Sequence, residues 1–225
     1  TKEACDAAAL TRYEQYLMAL ENDREFQKKY MFPAEIKVSR KKSILVEEDE
    51  GITPATAEGL ASLRPLIPDG VLSFGAQTHP ADGNSSMIVT TQEKAKELSA
   101  DPSMPIQVIA YGFAREKKGY MAAAPVPATS MALANADLSI GDMKVIKSHN
   151  PFIVNDINFA KQFGIDVNDM NNYGCSMIYG HPQGSTATRL IIEGIEETVM
   201  KGGGYFLWTG CAAGDCGAAL ILKIG

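Results

Sequence analysis

A chain of 225 residues is long enough to bury a sizeable core, as one large domain or one domain with an appendage. Its 45% apolar and 21% charged residues are the balance of a globular protein, and its net charge of −6 removes the electrostatic case for nucleic acid. No apolar run approaches the ~20 residues of a membrane-spanning helix, and no apolar stretch of signal-peptide type follows Thr1. Cys5, Cys175, Cys211 and Cys216 lack zinc-site spacing, so no metal is expected. Free thiols in turn imply a reducing compartment and a cytoplasmic location. His79, His149 and His181 are the only histidines, which leaves few groups for proton transfer near neutrality.

Leu10, Tyr13, Leu17 and Leu20 recur at helical steps behind a Thr1 cap, and predict a helix over the first two dozen residues. From Tyr30 to Asp69, Pro33, Pro54, Pro65 and Pro68 break the pattern around the run Glu47-Glu48-Asp49-Glu50. This stretch reads as irregular, with one short helix near Ala57 to Leu63, and Arg40-Lys41-Lys42 as solvated loop. Strands are predicted at Val71 to Phe74 and Met87 to Val89, then a helix at Gln92 to Leu98. A strand at Pro105 to Tyr111, a helix at Ala128 to Asn135, a strand at Met143 to Lys147 and a helix at Val154 to Phe163 follow. Thr186 to Met200 reads as a helix with Leu190, Ile191, Ile195 and Val199 on one side. Strands at Tyr205 to Thr209 and Ala218 to Ile224 close the chain around a Gly-rich turn. The alternation predicts an α/β sandwich with a mixed sheet.

Three segments carry candidate chemistry. Cys211 stands just past a strand among Gly210, Ala212, Ala213, Gly214 and Gly217, where a thiol base and backbone N–H donors could meet a ligand. The competing reading, favoured by the hairpin alone, is a small buried hydrophobe. His181, in Gly180-His181-Pro182-Gln183-Gly184, precedes a helix whose N-terminus would hold an imidazole neutral, as a general base requires; it reads equally well as a loop histidine satisfied by backbone. Ser148-His149-Asn150-Pro151-Phe152 ends a strand, where ligands bind in α/β sheets, or where Asn-Pro simply turns the chain. His79 reads as a loop residue, Asp215 as a turn former, and the remaining cysteines as packing residues.

In order along the chain, these segments resemble the thiolase family. Gly180-His181-Pro182 with Gly184 is similar to the family's GHP motif, and Cys211-Ala212-Ala213-Gly214 to its C-terminal Cys-x-Gly-Gly turn. His149-Asn150-Pro151-Phe152 stands at its Asn-Glu-Ala-Phe motif, with histidine in place of asparagine, as in sterol-carrier-protein-type thiolases and ketosynthases. Asp49 to Ile52, Leu63 to Pro65, Asp82-Gly83 and Pro125 to Thr129 fall in thiolase order as well.

The resemblance implies a layered αβαβα fold with mixed sheets. Residues 1–70 would form the end of a lid and loop region, 71–100 a remnant of the N-terminal half, and 101–225 the C-terminal domain. It implies acyl-CoA C-acyltransfer, by Claisen condensation or thiolytic cleavage, with coenzyme A thioesters as substrates and no further cofactor. His181 would activate a nucleophilic cysteine, Cys211 would move the substrate's α-proton, and His149 would help form an oxyanion hole; His181 and Cys211 are expected to face one another across a shared cavity, with His149 at its rim. Thr78 stands for a CoA-contacting serine, while Ala213 and Gly214 would offer backbone donors. Thr53 replaces an arginine that often serves the nucleotide end of CoA. None of the four cysteines has the nucleophile's context, so the resemblance implies a second polypeptide carrying the N-terminal half, in a higher oligomer. The alternative is a non-catalytic subunit that binds a partner and CoA.

Overall fold

The computed structural model describes residues 1–225. Helix α1 (Lys2–Arg24) is capped by the Thr1 hydroxyl, which accepts from the Ala4 N–H at 3.3 Å, and its helical geometry breaks at Glu21, Asn22 and Asp23. Strands β1 (Ala34–Ser39) and β2 (Lys42–Val46) form an antiparallel hairpin, and α2 (Ala57–Ser62) and α3 (Gln92–Leu98) follow. The C-terminal part comprises β3 (Ile106–Arg115), α4 (Pro125–Ala136), β4 (Met143–His149), α5 (Ile153–Phe163), α6 (Ser176–Tyr179), α7 (Thr186–Met200), β5 (Gly204–Ala212) and β6 (Cys216–Ile224).

One four-stranded mixed sheet, in the order β3-β6-β5-β4, organises that part. Strands β4 and β5 are parallel, and the other two pairs antiparallel. The alternation of side chains separates two cores. Ile146, Leu207, Ala219 and Ile221 meet Ala128, Ala132 and Leu133 of α4 and Phe159 of α5. On the other face Val145, Phe206, Leu222 and Ile224 meet Ile191 of α7. Helix α1 packs against α2, α5 and α6 through Cys5, Ala8 and Ala9. No helix is long and apolar enough to cross a membrane.

Two sequence expectations need correction. The stretch from Tyr30 to Asp69 is not irregular throughout: it holds the β1–β2 hairpin, and Arg40 and Lys41 lie exposed at its tip. The strands expected at Val71 to Phe74 and Met87 to Val89 do not form. A strand exists only with a neighbour to complete its ladder, and no other segment of the 225 residues pairs with either. Phe74, Ile88 and Val89 stand 72%, 76% and 81% exposed, so they lack a covering layer as well as a ladder.

Candidate active site

The site gathers where β4 and β5 end. Their parallel register sets His149 beside Gly210, one residue before Cys211. Gly210 leaves little room there, since a Cβ would lie 3.1 Å from both the His149 Cβ and the Trp208 ring. The residues from Gln77 to Pro80 lace the two histidine segments together. The Thr78 N–H donates to the Pro151 carbonyl at 2.8 Å, the His181 N–H donates to the His79 carbonyl at 2.9 Å, and Gln77 and Pro80 form bridges to Phe152 and His181. Gly180, at φ +89°, turns the chain into His181; a Cβ there would lie 2.6 Å from that of Ala81 and 2.9 Å from the His79 ring.

The fold brings His149 and His181 together, with ring centroids 4.1 Å apart and planes tilted by 30°. His149 is buried, and its Nδ1 lies 2.8 Å from the Ser176 hydroxyl at the start of α6. Burial, then the neighbouring His181, pushes its pKa down to about 3. The ring is therefore neutral near pH 7, where it bonds to Ser176 through Nδ1. Burial also lowers the pKa of His181, which favours its neutral form. Its Nδ1 lies 2.7 Å from the Thr186 hydroxyl, which itself donates to the Pro182 carbonyl at 3.0 Å. Thr186 can thus accept from Nδ1–H, leaving Nε2 of His181 free to take a proton.

The expected arrangement, with His181 and Cys211 facing one another across one cavity, needs correction: Cys211 reaches the same end of the sheet from the opposite face and does not line the open cleft at His181. It follows Leu207 and Thr209 toward α4 and α5, whereas His149 follows Val145 and Lys147 toward α7. Its one side-chain partner is the Asn155 amide, 3.4 Å from the sulfur. Burial raises its thiol pKa, against the hydrogen bond from Asn155. The four cysteines are all free thiols.

An open cleft of about 330 Å³ is lined by Thr78, His79, Pro80, Ala81, His181 and Gln183. Thr78 lines it, but its hydroxyl donates inward to the Ser176 carbonyl at 2.5 Å. Ala213 and Gly214 are exposed in the β5–β6 turn, where their N–H groups meet no backbone acceptor and Asp215 takes a left-handed φ of 61°. His79, read from sequence as a loop residue, shares the cleft with His181.

The profile of the thiolase C-terminal domain matches residues 104–224. The chain belongs to the thiolase family. It is similar to human mitochondrial 3-ketoacyl-CoA thiolase, at 26% identity over 224 residues, which are 99% of this chain and 55% of that protein. The 3-ketoacyl-CoA thiolase of Photobacterium profundum is 31% identical over 198 residues, 79% of this chain and 45% of that one. The crystal structure of the Bacillus anthracis acetyl-CoA acetyltransferase superposes with a TM-score of 0.91 at 27% identity, covering all of this chain and 56% of that one. Human mitochondrial 3-ketoacyl-CoA thiolase in complex with CoA superposes with a TM-score of 0.88 at 27% identity. The chain thus spans about half the length of the thiolases it matches.

Beneath the thiolase motifs lies a polar layer that the motifs do not announce. Ser176, Asn150, Asn155 and Asp156 are all buried and all bonded to one another or to the site residues. Their signal in the sequence is scattered: Asn150 follows the strand-end histidine, Asn155-Asp156 lie six and seven residues past it, and Ser176 lies four residues before Gly180.

The position of His149 makes a testable difference to stability. Its folded pKa lies below the 6.5 of an unhindered imidazole, so between about 6.5 and about 3 the unfolded state binds a proton that the folded state does not. Its contribution is present above pH 6.5 and lost as the pH falls, by up to about 1.4 kcal/mol per pH unit. Urea unfolding of the wild type and of His149→Asn across this range should diverge toward acid, with the variant falling less steeply. Parallel curves would mean that the imidazole is not held neutral.

Proposed function

We propose that the chain supplies the acid/base part of an acyl-CoA C-acyltransferase site, acting on 3-oxoacyl-CoA in cleavage or on two acyl-CoA molecules in condensation. The observation that carries the reading is the pair of histidines in contact, His149 at the end of β4 and His181 in the loop before α7, with Cys211 one residue beyond the Gly210 that pairs with His149. In the first half-reaction His181 takes the proton of a nucleophilic cysteine, which attacks the thioester carbon and expels CoA. A ring N–H of His149, with the free N–H groups of Ala213 and Gly214, suits developing negative charge on thioester oxygens. In the second half-reaction the Cys211 thiolate removes the α-proton of the incoming acyl-CoA, and the resulting carbanion attacks the acyl-enzyme.

The nucleophile belongs to a thiolase N-terminal half. Support comes from surfaces that such a half would cover: Tyr111 and Phe113 on β3, 70% and 57% exposed, together with Phe74, Ile88 and Val89. Large apolar side chains left in solvent are what a covering partner would bury. A partner layer would also complete the ladders that the 71–98 segment lacks. A large, apolar, permanent interface is the expected form, whether between two polypeptides or within one.

The test is to purify the protein from its source without denaturant, weigh it intact, and assay thiolysis of acetoacetyl-CoA. Turnover, with a thiolase N-terminal half present on the same or a companion polypeptide, is the expected result. CoA binding by such an assembly without turnover would favour the non-catalytic reading. A folded, lone monomer of this chain would remove the partner half.

A further inference from the structure

Asn155 sits in the first turn of α5 and is 2% exposed. Its amide is held at both ends by backbone. Oδ1 accepts the Phe152 N–H at 3.2 Å, and Nδ2 donates to the Ala122 carbonyl at 3.3 Å. Turning the amide over would set oxygen against carbonyl and NH2 against N–H, so its orientation is decided by these two partners. The remaining proton on Nδ2 points at the Cys211 sulfur, 3.4 Å away.

We propose that Asn155 is a positioning residue for Cys211, fixing the sulfur and stabilising its thiolate for α-proton transfer. The inference rests on the reading of Cys211 as the base of the second half-reaction. In that step the α-C–H bond breaks, the proton forms S–H on Cys211, and the electron pair stays on the substrate as a thioester enolate. The enolate carbon then bonds to the acyl carbon, and the nucleophilic cysteine leaves as thiolate.

A base of this kind must be a thiolate part of the time, yet its surroundings oppose that. Burial raises the thiol, and Asp156, the next residue on α5, raises it further. The other elements against the sulfur offer no counter-charge. Residues 121–136 contain no ionisable group, β6 brings Gly217 and Cys216 to the pairing positions, and His149 on β4 faces the other side and stays neutral. The Asn155 N–H is therefore the main group favouring the thiolate, aided by the backbone N–H of Cys211 itself. A neutral amide suits the role, since it stabilises charge on the sulfur without competing for the proton.

The experiment follows alkylation of Cys211 by iodoacetamide in the complete protein, read peptide by peptide by mass spectrometry, from about pH 6 to about pH 10, which brackets the thiol range. The variants are Asn155→Leu and Asn155→Asp. The aspartate keeps the shape and its bond from Phe152 while replacing the donor by a charge, so its shift should be at least that of leucine, and an unshifted midpoint in it overturns the proposal even where leucine fails to fold. Continued protection of the buried Cys5 and Cys175 certifies the fold. The expected result is a labelling midpoint raised by about one unit in both variants, which is roughly tenfold slower labelling at a fixed pH below it. The alkaline shift should reappear in the pH profile of condensation. Labelling profiles that superimpose on the wild type would overturn the proposal. Labelling needs no turnover, so a failure of the acyltransferase reading would leave this result standing and be recognisable as a separate failure.

Discussion

Replacement of Cys211 by alanine should abolish condensation and leave transfer of an acyl group onto the nucleophile intact. The histidine pair and Cys211 stand on different faces of the sheet. His149 and His181 stand on the α7 side with their rings in contact, and neither is hydrogen-bonded to Cys211. Cys211 stands on the α4–α5 side and bonds only to Asn155. Removing the sulfur therefore leaves the histidine pair undisturbed. It also leaves little cavity, because Cys211 is the last inward-facing residue of β5 and the core beneath it is built by Leu207. Loss of a general base typically costs ~10²–10⁴ in rate, and here the cost should fall on one half-reaction alone. Incubation with radiolabelled acetyl-CoA followed by a quench should trap acyl-enzyme at the wild-type level, while acetoacetyl-CoA formation disappears. Condensation at the wild-type rate would take Cys211 out of the mechanism, and loss of both signals would mean that the sulfur serves the histidine side after all.

The division between what the sequence shows and what it hides follows from range. Elements that bury one face against their own neighbours announce themselves. The helix read at Thr186 to Met200 is α7 to the residue, and the strand read at Ala218 to Ile224 is the core of β6. Ala34, Ile36 and Val38 alternate as a strand should, but Pro33 and the charged run beyond hide the pattern, and both strands of that hairpin lie almost wholly exposed. The opposite error arose at Met87 to Val89, which has strand composition and no partner. His149, His181 and Cys211 stand out as candidates among small or helix-breaking residues, but only the ordered set of thiolase motifs gives them expected roles. Ser176, Asn155 and Asp156 do not stand out. Their roles depend on burial and on partners up to 144 positions away, as for Asp156 with Arg12, and no local pattern carries that information.

Asp156 carries the second large effect. Its carboxylate is fully buried against the equally buried Arg12 of α1, with Nε 2.8 Å from Oδ2. It also accepts from Asn150 at 2.7 Å, from Asn171 at 3.1 Å and from the Ser148 hydroxyl. Arg12 is held in turn by Gln15 and the Val167 carbonyl, both at 2.7 Å. One carboxylate thus joins α1, the end of β4, the loop after α5 and the residue beside His149. Removing it strands a guanidinium in a dry interior and leaves three further donors unpaired. Breaking a buried pair in this way costs about 3–5 kcal/mol, a large share of a typical domain's stability. Asp156→Ala should lower the unfolding free energy of the assembled protein by that amount, read from the shift of its denaturant midpoint. Arg12→Met should do nearly as much, because it leaves the carboxylate without its counter-charge. The double variant should fall short of the sum of the two by about 1 kcal/mol or more, since the second change removes a charge already orphaned by the first. Asn150 would lose its anchor as well, and with it goes the seat of Ser176 behind His149. Both half-reactions should then slow, unlike the single loss expected for Cys211→Ala. Losses below about 1 kcal/mol for Asp156→Ala would place this carboxylate in contact with water, and the site's polar scaffold would need another centre.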